Sequence, residues 1–271
     1  MRDSHTNCGR MIDLLHDLTE DGFLGGQLRL RQPRSGHRAG HDAILLAAAT
    51  TARTGDRVVE FGAGVGAAGL ALAARAGAID LVLVEIDEGL AALARANASA
   101  NAIRAKVVTL DVTSSAEAFA ANGLPPDSAD VILMNPPFND AVRHRASPDK
   151  ARETAHMAQP GLLENWIHAA RRVLKSGGVL TLIWRADGLA EALSALGRGF
   201  GSLAILPVHS EPAKPAIRVL VRAVKGGKAP TVIHPGLMLN PGLMLNKESG
   251  VPNKQIEEVL AGKRELPLAI P

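Results

Sequence analysis

Short apolar runs alternate with amphipathic stretches along most of the chain. Runs that end in glycine or an acidic residue predict buried strands, and apolar positions three or four residues apart predict helices. The predicted strands are Arg57–Phe61, Leu81–Glu85, Lys106–Leu110, Asp130–Met134, Val179–Trp184, Ala204–Val208 and Ile217–Val224. The predicted helices are Asp42–Thr51, Ala67–Arg75, Gly89–Ala100, a short one from Ser114, and Leu162–Leu174, which Gly177-Gly178 stops. This alternation predicts a doubly wound α/β fold with seven mostly parallel strands, of which one in the closing pair runs antiparallel.

The ends of the chain predict two appendages. Apolar residues at helical spacing up to Leu18 predict a helix within residues 1–20, and Phe23–Gln32 reads as a hairpin or a pair of edge strands. Near the other end, the hexapeptide Pro235–Asn240 is repeated letter for letter as Pro241–Asn246, before a short predicted helix over Asn253–Ala261. We therefore predict an N-terminal helix and hairpin extension (1–41), a central domain (42–228) and a C-terminal tail with a short helix (229–271).

Composition excludes several classes of protein. With 46% apolar and 21% charged residues among 271, the chain is neither disordered nor collagen-like. Its longest apolar runs, such as Ala43–Ala49, are shorter than the ~18 residues that span a bilayer. Cys8 is the single cysteine, and His37 and His41 are flanked by glycines that disfavour a helix, so no metal site is expected. We predict a cytoplasmic protein that does not enter a membrane.

The charge balance leaves the nature of the partner open. The net charge is +3, and 21 of the 30 basic residues are arginine, which suits bidentate phosphate contacts. Four arginines between positions 29 and 38 precede Asp42, and Arg143 and Arg145 form a second basic group. Both groups fit a phosphate backbone, and both fit an ordinary solvated surface.

A glycine-rich turn follows the first predicted strand of the sheet. Glu60 and Phe61 lead into Gly62-Ala63-Gly64-Val65-Gly66, where glycines let a ligand approach the backbone and a helix begins. Glu85 ends the next strand, where a carboxylate could accept hydrogen bonds from a ribose, and Asp111 follows the third. A nicotinamide dinucleotide fits the same glycines, but Glu60 would repel its pyrophosphate. Glu60 therefore favours a ligand that carries an ammonium and a sulfonium.

The fourth strand runs into Asn135-Pro136-Pro137-Phe138. The prolines stiffen the turn, so that the side-chain oxygen of Asn135 and the carbonyl of Pro136 face one point. An exocyclic amine held there by both of its hydrogens would direct its lone pair at an incoming methyl group, without a strong general base. Phe138 could stack on the flat substrate. This motif predicts an N-methyltransferase.

With these motifs the chain resembles the class I S-adenosylmethionine-dependent methyltransferases, in their small-domain group with Asn-Pro-Pro-Phe turns. It is similar in particular to the bacterial tRNA(Val) adenine-N6 methyltransferase-like family. The matching stretches are Gln32–Ala47, Glu60–Gly66, Val84–Asp87 and Asn135–Phe138. The resemblance implies that Glu60, Gly62, Gly64 and Gly66 line the methionine part of the cofactor, that Glu85 holds its ribose, and that Asp111 contacts its adenine.

The same resemblance implies that Asn135, Pro136 and Phe138 present the target amine, and that RNA, in particular tRNA, is the substrate. We assign Arg38, Asp42, Arg143 and Arg145 to substrate binding. Alternatives from the same turn are methylation of a guanine in ribosomal RNA, of a protein glutamine or of a small molecule. A non-catalytic RNA-binding module and a nicotinamide oxidoreductase are rivals of other classes.

Overall fold

The computed structural model describes residues 17–35, 38–137, 161–239 and 254–269. The strands in these ranges are β1 Leu18–Phe23, β2 Leu28–Pro33, β3 Arg57–Phe61, β4 Asp80–Glu85, β5 Ala105–Thr109, β6 Ala129–Met134, β7 Leu174–Arg185, β8 Phe200–His209, β9 Ala216–Lys225, β10 Val232–Ile233 and β11 Leu237–Met238. The α-helices in the same ranges are α1 His41–Ala49, α2 Ala67–Ala76, α3 Glu88–Ala100, α4 Ala116–Ala121, α5 Leu162–Val173, α6 Leu189–Leu196 and α7 Lys254–Leu260.

One mixed sheet forms the centre of the molecule. Its long strands lie in the order β5-β4-β3-β6-β7-β9-β8, and the two-residue strands β10 and β11 add to the outer side of β8. All of the long strands are parallel except β9, which is antiparallel to both β7 and β8. The prediction of seven mostly parallel strands with one reversed in the closing pair is confirmed. The chain runs outward from β3 to β5 and returns to β6, so the switch point lies between β3 and β6.

Helices cover both faces of this sheet because its central strands are apolar on both sides. On one face, α1, α2 and α3 pack with the hairpin and the C-terminal residues around Val58, Leu83 and Leu133. On the other face, α4, α5 and α6 pack around Phe61 and Ile132. Alternate residues of each central strand thus enter different core layers, which is typical of buried parallel strands.

Three details of the fold differ from the sequence prediction. Residues 18–20, predicted to end an N-terminal helix, instead begin β1, because this strand pairs antiparallel with β2 from Leu18 opposite Pro33 to Phe23 opposite Leu28. Residues 1–16 lie outside the described ranges. Helix α5 ends at Val173, and the predicted stop at Gly177-Gly178 lies inside β7. Helix α6 was not predicted.

The C-terminal residues cover part of the sheet face on which α1, α2 and α3 pack. Leu266 and Leu268 are buried against α1, and the amide of Leu266 donates to the carbonyl oxygen of Ala48 at 2.9 Å. Thr51 Oγ1 donates to the carbonyl of Ala269 at 2.5 Å. The predicted final helix is confirmed as α7. No helix in the described ranges is both long and apolar enough to cross a membrane.

Candidate functional site

The predicted site residues follow strands whose carboxyl ends meet at one edge of the sheet. In the register of the sheet, Phe61 of β3 lies opposite Val84 of β4 and Met134 of β6. Gly62, Glu85 and Asn135 are each the next residue along the chain. Because neighbouring strands lie ~4.8 Å apart, the backbones at Glu85 and Asn135 flank Gly62 within ~10 Å of each other. The structure therefore brings the two predicted motifs together at the switch point.

The glycine loop, residues 62–66, joins β3 to α2 and depends on its glycines. Gly62, Gly64 and Gly66 have φ values of +65°, +55° and +86°, a region that other residues rarely adopt. A Cβ on Gly62 would lie 2.5 Å from Cη2 of Trp166, whose ring from α5 covers the loop. A Cβ on Gly64 would meet nothing within 4 Å. The loop is thus packed at Gly62 and open to a ligand at Gly64.

Glu85 holds the open part of this loop in place. Its Oε2 accepts the amide of Gly64 at 2.6 Å, and its Oε1 accepts the amide of Asp87 at 2.9 Å. The side chain is buried, and desolvation raises the pKa of Glu85 above its ordinary value despite these two bonds. Each carboxylate oxygen has a second lone pair, so Glu85 keeps acceptor capacity for a ligand hydroxyl.

The Glu60 carboxyl group faces the start of α2. Its Oε2 accepts the amide of Gly69, in the first turn of that helix, at 2.7 Å, and the residue is only 5% exposed. A Cβ on Gly69 would lie 2.6 Å from the same oxygen, so only glycine leaves room for it. Burial raises the pKa of Glu60 to about 8, and the nearby Glu85 adds to the shift. Glu60 thus stabilises the helix that follows the loop. Its predicted contact with the methionine part of the cofactor stays a prediction.

The Asn-Pro-Pro turn carries an unusual polar atom. Oδ1 of Asn135 is buried and has no hydrogen-bond partner in the described part of the chain. Pro136 is buried and Pro137 is half-buried, so the turn is part of the packed structure. A buried acceptor without a partner is costly, and such atoms occur where a ligand supplies the missing donor. Phe138, Arg143 and Arg145 lie outside the described residues.

Two further residues complete this edge of the sheet. Asp111, after β5, accepts the amide and the hydroxyl of Thr113 on Oδ1 at 2.7 and 2.8 Å. Ile86, which follows Glu85, is 63% exposed. Ile86 was not predicted as a site residue, although its position directly after an acidic strand end is a signal that the sequence carries. An exposed aliphatic side chain beside a carboxylate provides an apolar surface for a flat ring.

The residues assigned to substrate binding near the N-terminus make internal ion pairs. Arg38 donates to Oδ2 of Asp21 at 2.7 Å and to the carbonyl of Pro33 at 2.9 Å. Asp42, in the first turn of α1, accepts from Nε of Arg218 at 3.0 Å. Arg218 lies opposite Arg185, the last residue of β7, so Asp42 sits at the same edge of the sheet as the loop.

The arginine-rich hairpin is also partly neutralised. Glu20 lies 3.4 Å from Arg29 and 3.6 Å from Arg31, and Asp17 lies 2.9 Å from Arg34. All of these side chains are exposed, so the ion pairs are weak. A phosphate group could therefore replace the carboxylates as the partner of these arginines. The arginines of the hairpin are therefore balanced in space by Glu20 of β1 and by Asp17, which directly precedes β1.

Taken together, these residues suit a nucleoside. The open loop at Gly64 lets a ligand approach the backbone closely. The Glu85 carboxylate can accept hydrogen bonds from ribose hydroxyls, and the Ile86 side chain can pack on an aromatic ring. The described residues contain no group of three or more histidine, cysteine or acidic side chains arranged for a metal ion.

Comparison with known proteins identifies the family. The family model described as methyltransferase small domain matches residues 40–211, which is more than half of the chain. The chain belongs to the methyltransferase small domain family. It is a methyltransferase that uses S-adenosylmethionine, and both predictions from the sequence are confirmed.

Individual relatives of this small-domain methyltransferase agree with that assignment. It is 30% identical over 186 residues to the tRNA1(Val) (adenine(37)-N6)-methyltransferase of Tolumonas auensis, covering 66% of this chain and 72% of the relative. It is 33% identical over 126 residues to the ribosomal RNA small subunit methyltransferase C of Pseudomonas syringae pv. tomato, covering 46% of this chain and 31% of that protein. The second match therefore spans about a third of that relative's length.

A solved structure extends the agreement to the fold. A protein from Agrobacterium tumefaciens, described as a predicted O-methyltransferase, superposes with a TM-score of 0.66 and 32% identity. The superposition covers 83% of this chain and 98% of that protein. The predicted class I methyltransferase fold is confirmed.

Proposed function

We propose that this methyltransferase transfers a methyl group to the exocyclic amine of an adenine in tRNA, forming N6-methyladenine. The observation that carries the proposal is the buried Oδ1 of Asn135, which lacks a partner among the described residues at the end of β6. An amine hydrogen would supply the missing donor. The carbonyl of Pro136 is the proposed acceptor for the second hydrogen.

Two acceptors favour an amine over a hydroxyl group as the target. A hydroxyl has one hydrogen and satisfies one acceptor, whereas an exocyclic amine has two. Bound S-adenosylmethionine supplies an electrophilic methyl group on a positively charged sulfur. The chain's own residues hold the amine so that its lone pair faces that methyl group, and rate acceleration then comes from positioning and charge placement.

The cofactor is proposed to lie along the carboxyl ends of β3, β4 and β5. Glu85 would accept the ribose hydroxyls, and Asp111 and Ile86 would border the adenine ring. The methionine part would extend over Gly62, Gly64 and Gly66 towards Glu60. The open space at Gly64 supports this placement, because no side chain lies where the ligand must pass the backbone.

The substrate class rests on the relatives and on the basic residues. The Tolumonas auensis relative is named as an adenine-N6 methyltransferase of tRNA, and the match covers most of both chains. Arg38, Asp42, Arg143 and Arg145 are proposed to contact the RNA around the target base. For Arg38 and Asp42 this requires exchange of their present partners, Asp21 and Arg218, for groups on the substrate. Such a protein would act in the cytoplasm, where tRNA is found.

A guanine amine in ribosomal RNA is the second candidate. The match to the ribosomal RNA methyltransferase C of Pseudomonas syringae favours it, since the identity of 33% is similar to that of the tRNA enzyme. Guanine also offers an exocyclic amine with two hydrogens, so the Asn135 turn suits both bases.

The test is methylation of separate RNA pools with labelled S-adenosylmethionine, followed by digestion to nucleosides and mass spectrometry. Labelled N6-methyladenosine from tRNA is the expected product. Labelled N2-methylguanosine from ribosomal RNA would select the second candidate, and transfer to neither pool would refute an RNA substrate.

Asn135→Ala tests the role of the turn itself. We expect turnover to fall about a thousandfold, an effect of the size seen when a preorganised hydrogen-bonding group is removed. Cofactor affinity, measured by titration calorimetry, should stay within a few-fold. Asn165→Ala, at an exposed position on α5, is the matched control and should keep full turnover. Unchanged turnover in Asn135→Ala would refute the assigned role.

A further inference from the structure

Two asparagines, Asn97 on α3 and Asn101 directly after its last residue, bind the free edge of the hairpin. Asn101 accepts the amide of Arg29 on Oδ1 at 3.0 Å and donates from Nδ2 to the carbonyl of Arg29 at 2.7 Å. Asn97, one helical turn earlier, accepts the amide of Arg31 at 2.8 Å and donates to its carbonyl at 3.0 Å. Each side-chain amide thus pairs with β2 as a neighbouring strand would.

Of these two asparagines, only Asn97 also contacts the glycine loop. Its Nδ2 donates a second hydrogen bond, at 3.0 Å, to the carbonyl oxygen of Val65, between Gly64 and Gly66. Nδ2 of Asn101 instead donates to the carbonyl of Asn97, in the last turn of α3, at 2.8 Å. Asn97 is 1% exposed, so no solvent can replace these bonds. The side-chain amide of Asn97 therefore joins β2 of the hairpin directly to the glycine loop.

We propose that Asn97 is a positioning residue that holds the glycine loop in the conformation that binds S-adenosylmethionine, and thereby couples hairpin docking to cofactor binding. This inference rests on the proposed location of the cofactor at the loop. Gly64 and Gly66 supply conformational freedom, so the loop needs an external contact to select one conformation. Asn97 of α3 supplies this contact through its hydrogen bond to the carbonyl of Val65.

The coupling must act in both directions. If the docked hairpin favours cofactor binding through Asn97, the bound cofactor must stabilise the docked hairpin to the same extent. The amides of Arg31 and Arg29 report the two pairs separately, because the first is bound to Asn97 and the second to Asn101.

The variants Asn97→Ala and Asn101→Ala form a matched pair. Both remove one amide from the hairpin edge, but only Asn97→Ala frees the loop. We expect Asn97→Ala to raise the Kd for S-adenosylmethionine about tenfold relative to the parent, measured by titration calorimetry at a temperature where circular dichroism shows all three proteins folded. Asn101→Ala should stay within about twofold.

Equal affinities for the two variants, whether both unchanged or both weakened, would overturn the proposal while leaving the proposed function intact. Failure of the parent protein to bind S-adenosylmethionine would overturn both.

Hydrogen exchange on the unmodified protein tests the same coupling if Asn97→Ala does not fold. Saturating S-adenosylmethionine should slow exchange of the Arg31 amide several-fold more than that of the Arg29 amide. Equal effects on the two amides, or none, would overturn the proposal.

Discussion

Glu60→Gln is expected to remove a large pH dependence of stability. The Glu60 carboxyl group is 5% exposed and holds its bond to the amide of Gly69. Burial raises its pKa from 4.5 to about 8. Glutamine keeps an oxygen that accepts the Gly69 amide and has no charge to desolvate, so the substitution isolates the ionisation of this group.

The magnitude follows from the difference between the folded and unfolded states. Between pH 4.5 and about 8 the folded state holds a proton on Glu60 that the unfolded chain releases, so stability falls as the pH rises. The slope is ~1.4 kcal/mol per pH unit. From pH 5.0 to 7.5 the free energy of unfolding of the parent should therefore fall by about 3 kcal/mol more than that of Glu60→Gln.

Urea denaturation of both proteins at half-unit pH steps measures this difference. The two should have similar stability at pH 4.5 and diverge above it, with Glu60→Gln the more stable. Glu191→Gln, which removes an exposed carboxyl group on α6, is the control and should follow the parent profile. Parallel profiles for the parent and Glu60→Gln would refute the reasoning, because they would show that Glu60 is ionised in the folded protein as it is in the unfolded chain.

Two further predictions separate packing from ligand approach at the same edge of the sheet. Gly62→Ala places a methyl group 2.5 Å from the Trp166 ring at a positive φ, so the free energy of unfolding should fall by about 2–4 kcal/mol in urea denaturation. Gly64→Ala, with open space around its Cβ, should lower the free energy of unfolding less than Gly62→Ala but weaken S-adenosylmethionine binding more. The reverse order of the two effects would argue against cofactor binding at Gly64. Ile86→Ser should raise the Kd for the cofactor about tenfold by titration calorimetry, from ~1.4 kcal/mol of lost apolar burial. Val232→Ser, on the far edge of the sheet, should not change the Kd, and equal effects of these two substitutions would argue against an adenine site at Ile86.

The sheet could be predicted because its strands carry their own signals. Most residues of Arg57–Phe61, Leu81–Glu85 and Asp130–Met134 are apolar on both faces, and these strands are bounded by Gly62, by the acid Glu85 and by the Asn135-Pro136 turn. Residues 18–20 carried no such signal. Leu18 continued a helical spacing from Ile12, and only pairing with β2, a contact between segments apart in sequence, makes this stretch a strand.

The site was predictable as a set of positions but not as a set of contacts. Glu60, Glu85 and Asn135 lie after or near the ends of strands that the fold aligns, which the sequence pattern already implied. That Glu60 faces Gly69 depends on the packing of α2, which no local pattern reveals. Asn97 was missed for a similar reason, since its partners at Arg31 and Val65 are 66 and 32 residues away.

The position of the C-terminal residues has a consequence for the order of folding in the cell. The ribosome makes helix α1 before every strand of the central sheet, whereas Leu266 and Leu268, which cover it, come after all of them. At ~5–20 residues per second, the ~200 residues between them take about 10–40 seconds to synthesise. During that interval the alanine and leucine side chains of α1 lack their final cover, so the nascent chain exposes an apolar surface until residues 266–268 have been made and can pack on it.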